Sequence, residues 1–252
     1  MRPRDRQSRI TDMVRSQGKV SVDQLVEAFH ASAETIRRDL TFLAANGKIQ
    51  KIHGGAIALR NFGEGPFAQR MLLNSQAKRL IAQQVRRLVS PGDSLFIDTR
   101  STTLAIAEEL ITIDDLTVIT NSAEIARIIT SANETVQMFL LGGNYIGDNR
   151  QTCGTMAVKQ LEGFHCNIAL LTAGAIAAGG GVMDFSHDEA QIASAMIEHS
   201  DKVLLMVDSS KFDQVAPFVV APFDRIHTLV SDQAPSGALA RALDGAQVEV
   251  IC

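Results

Sequence analysis

Long apolar runs are missing from these 252 residues, although 46% of them are hydrophobic. The longest, near Leu170 and Leu204, fall far short of the roughly 20 residues needed to cross a bilayer. Cysteine is scarce. Cys153, Cys166 and Cys252 are scattered without paired spacing, which excludes a disulfide framework and a zinc site and points to a reducing cytoplasm. A secretion signal is also missing, because MRPRDRQSR leads into an amphipathic pattern with no apolar core region. Low-complexity tracts and internal repeats are absent, as expected of a soluble globular chain. The glycine run Gly179–Gly181 lacks the spacing and following helix of a dinucleotide fingerprint. His187 and His199 have no partners at metal-ligand spacing. No cofactor or metal is expected.

An excess of positive charge is missing too, since the formal net charge is −4. Taken alone, that argues against a nucleic-acid binder. The distribution points the other way. Residues 1–60 hold 11 Lys+Arg and 6 Asp+Glu, hence +5, and the remainder holds 13 and 22, hence −9. A basic head on an acidic body keeps an electrostatic DNA footprint local.

Within that head, Ser32 to Ala56 is the organising stretch. Ser32 is placed as an N-cap, and Ile36, Leu40, Leu43 and Ala44 make one apolar stripe at helical period. Gly47 after Asn46 is placed to end the helix. Glu34, Thr35, Arg37, Arg38 and Thr41 occupy the other faces near the N-terminus, where a recognition helix presents side chains to the major groove. Two adjacent arginines alone also suit a solvated face, so the flanks decide. Upstream, Val22, Leu25, Val26 and Phe29 form a second stripe behind an N-cap at Ser21, and His30-Ala31 is the short link of a helix-turn-helix. A first helix over Arg6–Gln17 buries Ile10, Met13 and Val14, ends at Gly18, and is followed by a short strand at Lys19-Val20. Downstream, Lys48 to His53 alternates polar and apolar residues before Gly54-Gly55. This pattern predicts a wing whose Lys48, Lys51 and His53 hold the DNA backbone.

TIRRDL at 35–40, glycine at 47 and HGGA at 53–56 resemble the signature of the DeoR family of bacterial transcriptional regulators. The resemblance implies a winged helix-turn-helix joined to a larger effector-sensing domain that binds a phosphorylated sugar or related metabolite. It also implies dimers or tetramers.

Gly63, Gly65 and Pro66 break regular structure. They divide the chain into a DNA-binding domain at 1–57, a linker at 58–69, and an effector-sensing and oligomerisation domain at 70–252. Phe67 and Arg70 match a family pattern ahead of the sensor domain. One long helix is expected from about there to Val89, stopped by the turn SPGD at 90–93. Strand patterns follow at 94–98, 116–120, 136–141, 167–172, 202–208, 227–231 and 248–251. Helices are expected at Thr102–Leu110, Ala123–Thr130, Thr155–Leu161, Glu189–His199 and Gly237–Leu243. Nearly continuous apolar strands alternating with helices predict a mostly parallel sheet covered on both faces. The expected fold is thus a small α+β winged helix-turn-helix followed by an α/β domain. By resemblance, that domain is similar to the ribose-5-phosphate isomerase and coenzyme A transferase-like architecture.

Ligands of open α/β sheets bind beyond the carboxyl ends of the strands. The first polar group at such an end is Asp98, Thr99, Arg100, Ser101, Thr102 and Thr103. Helix N–H groups beside hydroxyls suit a phosphate, although serines and threonines there also serve as plain caps. The family shows Asp-Ser-Gly-Thr/Ser-Thr-Thr at this point, so Arg100 is a departure from glycine. The second is Asn121, in a TNS motif, with turn and cap as its alternative role. The third is Lys211 in DSSKF, a family motif, where a solvated lysine is the alternative. Glu189 matches a recurrent family acid and also suits a first-turn carboxylate favoured by the helix dipole.

These readings predict a metabolite-responsive repressor of a carbohydrate operon. Its partners would be a double-stranded DNA operator, a small phosphorylated effector and further copies of itself, with no membrane partner. The competing expectation is a sugar-phosphate isomerase-like enzyme with an appended DNA-binding domain.

Overall fold

The computed structural model describes residues 3–17, 19–45, 49–52, 54–57 and 67–252. It divides into two compact units, Met1–Asn61 and Phe62–Cys252.

The first unit runs α1 (Pro3–Gln17), β1 (Lys19–Ser21), α2 (Val22–Phe29), α3 (Ala33–Ala45), β2 (Gln50–Ile52) and β3 (Gly55–Ile57). The stripes read from the sequence meet in one core. Ile10, Val14, Leu25, Ile36 and Leu40 are fully buried, with Met13, Val26 and Phe29 packed at its margin. Each such aliphatic side chain contributes about 1.5–3 kcal/mol relative to exposure. The strands form an antiparallel sheet in the order β1-β3-β2, so the short strand at Lys19–Ser21 pairs with β3. Gly55 is required there, because a Cβ would lie 2.3 Å from the Val20 carbonyl oxygen. Ser21 and Gln24 cap α2 reciprocally, and His30 ends it in the left-handed region at φ 50°. Asp39, buried on α3, accepts from Arg6 Nε (2.6 Å) and Gln7 Nε2 (2.9 Å), tying α1 to α3. The expected C-cap at Asn46-Gly47 lies outside the described residues.

In the second unit the expected single helix is two. They are α4 (Phe67–Leu72) and α5 (Ser75–Arg86), broken where Asn74 adopts φ 52°. The break is held by tertiary contacts. Buried Lys78 donates through Nζ to the carbonyls of Leu73 (2.7 Å) and Arg70, which satisfies the end of α4. Asn74 Nδ2 reaches Asp208 Oδ1 at 2.9 Å.

There follow β4 (Ser94–Ile97), α6 (Ser101–Leu110), β5 (Thr117–Thr120), α7 (Ala123–Ala132), β6 (Gln137–Leu140), β7 (Asn144–Ile146), β8 (Gln151–Cys153), α8 (Thr155–Leu161) and β9 (Cys166–Leu171). The chain continues through β10 (Ala175–Ala177), β11 (Gly181–Asp184), α9 (His187–Glu198), β12 (Ser200–Met206), β13 (Phe218–Ala221), β14 (Thr228–Val230), α10 (Gly237–Gly245) and β15 (Glu249–Ile251). The seven expected strands form one sheet in the order β15-β14-β12-β9-β4-β5-β6, and every pairing in it is parallel.

Successive strand residues face opposite sides. Leu95, Ile97, Ile168, Leu170, Leu204 and Met206 pack with α5, α6 and α7. Phe96, Ala169, Leu171, Val203 and Leu205 pack with α8, α9 and α10. Two small antiparallel sheets, β10-β11-β13 and β7-β8, were not expected.

From β4 the chain winds outward to β6, then returns to place β9 on the other flank of β4. The carboxyl ends of β4 and β9 therefore meet at a topological switch point, the position at which such sheets hold ligands.

Candidate functional site

The first site is the outer surface of α3. Ser32 Oγ accepts from Thr35 N–H (3.2 Å) and shares a hydrogen bond with Thr35 Oγ1 (2.9 Å). These two hydroxyls are thus engaged with each other at the helix start. Glu34, Arg37, Arg38, Thr41 and Phe42 are exposed, and Arg38 lies 3.5 Å from Glu34 in an i,i+4 pair. At such exposure this pair contributes at most about 0.5 kcal/mol, so either charge is readily given up to a phosphate or a base edge. Lys51, on β2, donates to Thr41 Oγ1 at 2.8 Å. Arg37, Lys51 and Gly54 line one shallow groove between α3 and the wing. The expected wing residues Lys48 and His53 lie outside the described residues.

The second site is a cleft at the switch point, enclosing about 510 Å³ of empty space, part of it open to solvent. Its wall includes Arg100, Ser101 and Thr102 at the start of α6, Thr172 after β9, Asp208, Ser210 and Lys211 after β12, and Arg70, Asn74 and Lys78. Four of the eight expected effector residues therefore line it: Arg100, Ser101, Thr102 and Lys211. The other four stand behind the wall. Thr99 Oγ1 donates to Asn121 Oδ1 (2.9 Å), and Asn121 Nδ2 to the Thr152 carbonyl (3.0 Å). Thr103 Oγ1 accepts from Arg100 N–H (2.8 Å) and donates to its carbonyl (2.9 Å). Asp98 accepts from Thr172 N–H (2.9 Å) and Oγ1 (3.1 Å), locking β4 to β9. Burial pushes the Asp98 carboxyl up to about 7, against the pull of Arg100 and of the Thr172 hydrogen bonds.

Ser101 and Thr102 differ from their neighbours. Both are 7% exposed, and neither hydroxyl has a hydrogen-bond partner among the described residues. Beside them are the first-turn N–H groups of α6, which no helix can satisfy internally. Arg100 is engaged elsewhere. Its guanidinium forms ion pairs with both Asp184 and Glu189, and all three side chains are nearly dry. Glu189 Oε1 also accepts from Asn149 (2.8 Å) and Gln151 (2.7 Å), and Asn149 Oδ1 accepts from Arg70 (2.7 Å).

Residues 6–62 match the DeoR-like helix-turn-helix domain, and residues 73–233 match the DeoR C-terminal sensor domain. The chain belongs to the DeoR family. It is similar to the HTH-type transcriptional regulator IolR of Bacillus subtilis, 30% identical over 222 residues that cover 88% of either chain. It is also similar to the glycerol-3-phosphate regulon repressor of Escherichia coli, 28% identical over 250 residues, 99% of either chain. Among solved structures it is similar to ribose 5-phosphate isomerase A from Methanocaldococcus jannaschii, with a TM-score of 0.41 and 16% identity over 55% of each chain. Its function is that of a DeoR regulator: DNA binding by the head, with a sensor domain behind it. No helix among the described residues is long and apolar enough to cross a membrane.

Several members of this DeoR cleft carry too little local signal to be found from sequence. Asp184 and Glu189 hold Arg100 from 84 and 89 residues away, and Glu189 reads locally as a helix first-turn acid. Arg70 is visible in the sequence only as half of a family pattern. Here it lies over the Phe67 ring, 5.2 Å from its centroid, and reaches Asn149. Asn74 and Lys78 carry no local signal at all.

Proposed function

We propose that this DeoR regulator is a cytoplasmic repressor of a carbohydrate-utilisation operon, released from its operator by a small phosphorylated metabolite. The observation that supports this reading best is the pair Ser101 and Thr102. Two nearly buried hydroxyls without protein partners among the described residues stand at a helix N-terminus, on a wall that also carries Arg70, Lys78 and Lys211. Unmet donors, a helix dipole and nearby cations form a seat for a phosphate. Asp98, Thr99, Thr103 and Asn121 act as its scaffold. Lys211, which lines the cleft beside Ser210, is assigned a direct role toward the anion, and Arg100 is held by Asp184 and Glu189.

The cleft binds without turnover. The carboxylate on its wall, Asp208, already accepts from Asn74 Nδ2 (2.9 Å) and Ser210 N–H (3.1 Å), which leaves it poorly placed to shuttle a proton. On the DNA side, Ser32, Glu34, Thr35, Arg37 and Arg38 address the groove, and Lys48, Lys51 and His53 hold the backbone. Two half-sites require two heads, hence at least a dimer.

Calorimetry with a panel of sugar phosphates, followed by operator titrations with the best binder, tests the reading. A sugar phosphate that binds the parent, fails to bind Ser101→Ala/Thr102→Ala and weakens the operator complex is the expected result. Chemical conversion of that compound by the protein would overturn the binding-only role.

A further inference from the structure

The strand β6 is the outermost strand of the parallel sheet. Its inner side is occupied: Gln137 N–H donates to the Leu116 carbonyl (2.8 Å) and Leu141 N–H to that of Thr120 (2.9 Å). Alternation along the strand therefore turns the N–H and C=O groups of Met138 and Leu140 away from the sheet. Among the described residues no hydrogen bond reaches them. Free strand edges are usually blunted by charge or proline. This one is not: residues 135–147 contain no Asp, Glu, Lys, Arg or Pro.

Apolar side chains are exposed on the strand as well. Phe139 is 37% exposed and Leu140 48%, and Met156, on α8, is 67% exposed. Phe139 meets Phe164 edge-to-face at 5.3 Å. Met156 adjoins the same strand end, because the Gln160 amide bridges the Gly142 and Met156 carbonyls.

We infer that β6 is the seam across which two copies of this chain join, antiparallel and edge to edge, so that their two sheets become one. This occupant follows from self-complementarity and charge. With the two-fold axis at Phe139, Met138 faces Leu140 of the second copy and Leu140 faces its Met138, so all the outward backbone groups pair. That is the isologous contact of a two-fold dimer. Along residues 135–147 no like charges meet, since none are present. At the opposite edge of the sheet, the same pairing of β15 would set Glu249 close to its own copy, which is unfavourable.

With side chains of roughly 200 Å² each, these three exposed apolar residues offer on the order of 300 Å² per copy. Both copies together bury about 600 Å² from them, and the strand backbone and polar rim add the remainder toward the ~1,200 Å² at which specific interfaces begin. The inference extends the two-headed reading of operator binding, although its geometry does not depend on DNA.

The test uses the full chain and a Cys252→Ala background, in which the remaining thiols, Cys153 and Cys166, are buried. Phe139→Cys sits on the axis as a non-hydrogen-bonded pair with a Cα separation of about 4.5 Å, inside the disulfide range. Mild oxidation is expected to give a covalent dimer in high yield, while Leu72→Cys, on α4, gives none. By sedimentation velocity Leu140→Lys is expected to halve the particle mass with unchanged circular dichroism, and Leu72→Lys to leave the mass intact. An oligomer that survives Leu140→Lys without cross-linking at 139, or one dissociated by Leu72→Lys instead, overturns the seam yet leaves operator binding standing. A parent that is monomeric at micromolar concentration also overturns it. Cross-linking at 139 in a protein that binds no operator DNA would sink the functional reading and keep the seam.

Discussion

Replacing Arg100 by glycine, the residue at this point in the family pattern, isolates the role of the charge cluster behind the cleft. In the folded protein the side chains of Arg100, Asp184 and Glu189 are 6%, 3% and 13% exposed. One cation thus neutralises part of two carboxylates that have little access to water. Taking it away removes their shared counter-charge, and breaking a buried pair in this way costs about 3–5 kcal/mol. Glycine adds up to about 1 kcal/mol by loosening the unfolded chain. The backbone itself contributes no strain, because Arg100 is extended at φ −157° and ψ 171°. For a unit of this size each kcal/mol shifts Tm by about 2–4 °C, so a fall of roughly 6–24 °C is expected for the sensor unit.

A double-mutant cycle assigns that loss to its cause. In the background Asp184→Asn/Glu189→Gln the acids are replaced by neutral amides, and the amide of Glu189→Gln keeps an oxygen for Asn149 and Gln151. There Arg100→Gly should cost no more than about 1 kcal/mol, the glycine contribution alone. Urea unfolding of the four proteins measures the coupling. Equal losses in both backgrounds, or a loss under about 1 kcal/mol in the parent, would refute the argument that Arg100 serves the two carboxylates. The same cluster bears on binding. Because the guanidinium charge is balanced, Arg100→Gly should change anion affinity less than Lys211→Ala does, and the reverse order would make Arg100 a direct ligand contact.

Other outcomes follow from the same geometry. Arg37→Ala or Arg38→Ala should weaken operator binding by about 1–3 kcal/mol where a base contact is lost, or lower the salt slope by about one where a phosphate contact is lost; isotherms at several salt concentrations separate the two. Asp98 carries a folded pKa of about 7, above its unfolded value of about 3.9. Its contribution to stability is therefore full below about pH 4 and lost as pH rises to about 7, a change on the order of a few kcal/mol; Asp98→Asn should flatten the sensor unit's stability profile over that window, and an unaltered slope would count against the raised value. Asn74→Ala removes the tie from the α4–α5 break to Asp208 and should leave effector affinity within a few-fold while shrinking the effector's influence on operator affinity, measured by titrating DNA with and without the binder found in the sugar-phosphate panel.

Much of this architecture was legible because its cause is local. Ile36, Leu40 and Leu43 can only share a helical face, and strands as apolar as Leu95–Ile97 or Val203–Met206 need cover on both sides. The remainder was illegible because its cause is distant. Nothing near Asn74 announces a helix break; what holds it is Asp208, 134 residues away, together with Lys78 folding back on α4. Thr99, Ser101, Thr102 and Thr103 are alike in type, yet tertiary direction divides them. Ser101 and Thr102 face the cleft, whereas Thr99 turns to Asn121 and Thr103 to the Arg100 backbone.

On the proposed reading, the helix α4 is where sensing becomes a change in DNA binding. In sequence it is the first described element after the DNA-binding head, and it is tied to both rims of the cleft. On one rim Arg70 holds Asn149, which holds Glu189, which holds Arg100 next to Ser101. On the other, Asn74 at the α4–α5 break holds Asp208 and Ser210, next to Lys211. A ligand seated on Ser101 and Thr102 lies between these two ties. It can shift the position of α4 only to the extent that it binds one arrangement of the ties better than another, and operator DNA must then alter effector affinity by the same factor. A coupling of 1–3 kcal/mol, typical of such systems, is about what one or two charge-assisted hydrogen bonds contribute. An exchange of the Asn74 contact from Asp208 to a bound phosphate is therefore large enough to carry the signal, without any rearrangement of the sheet itself.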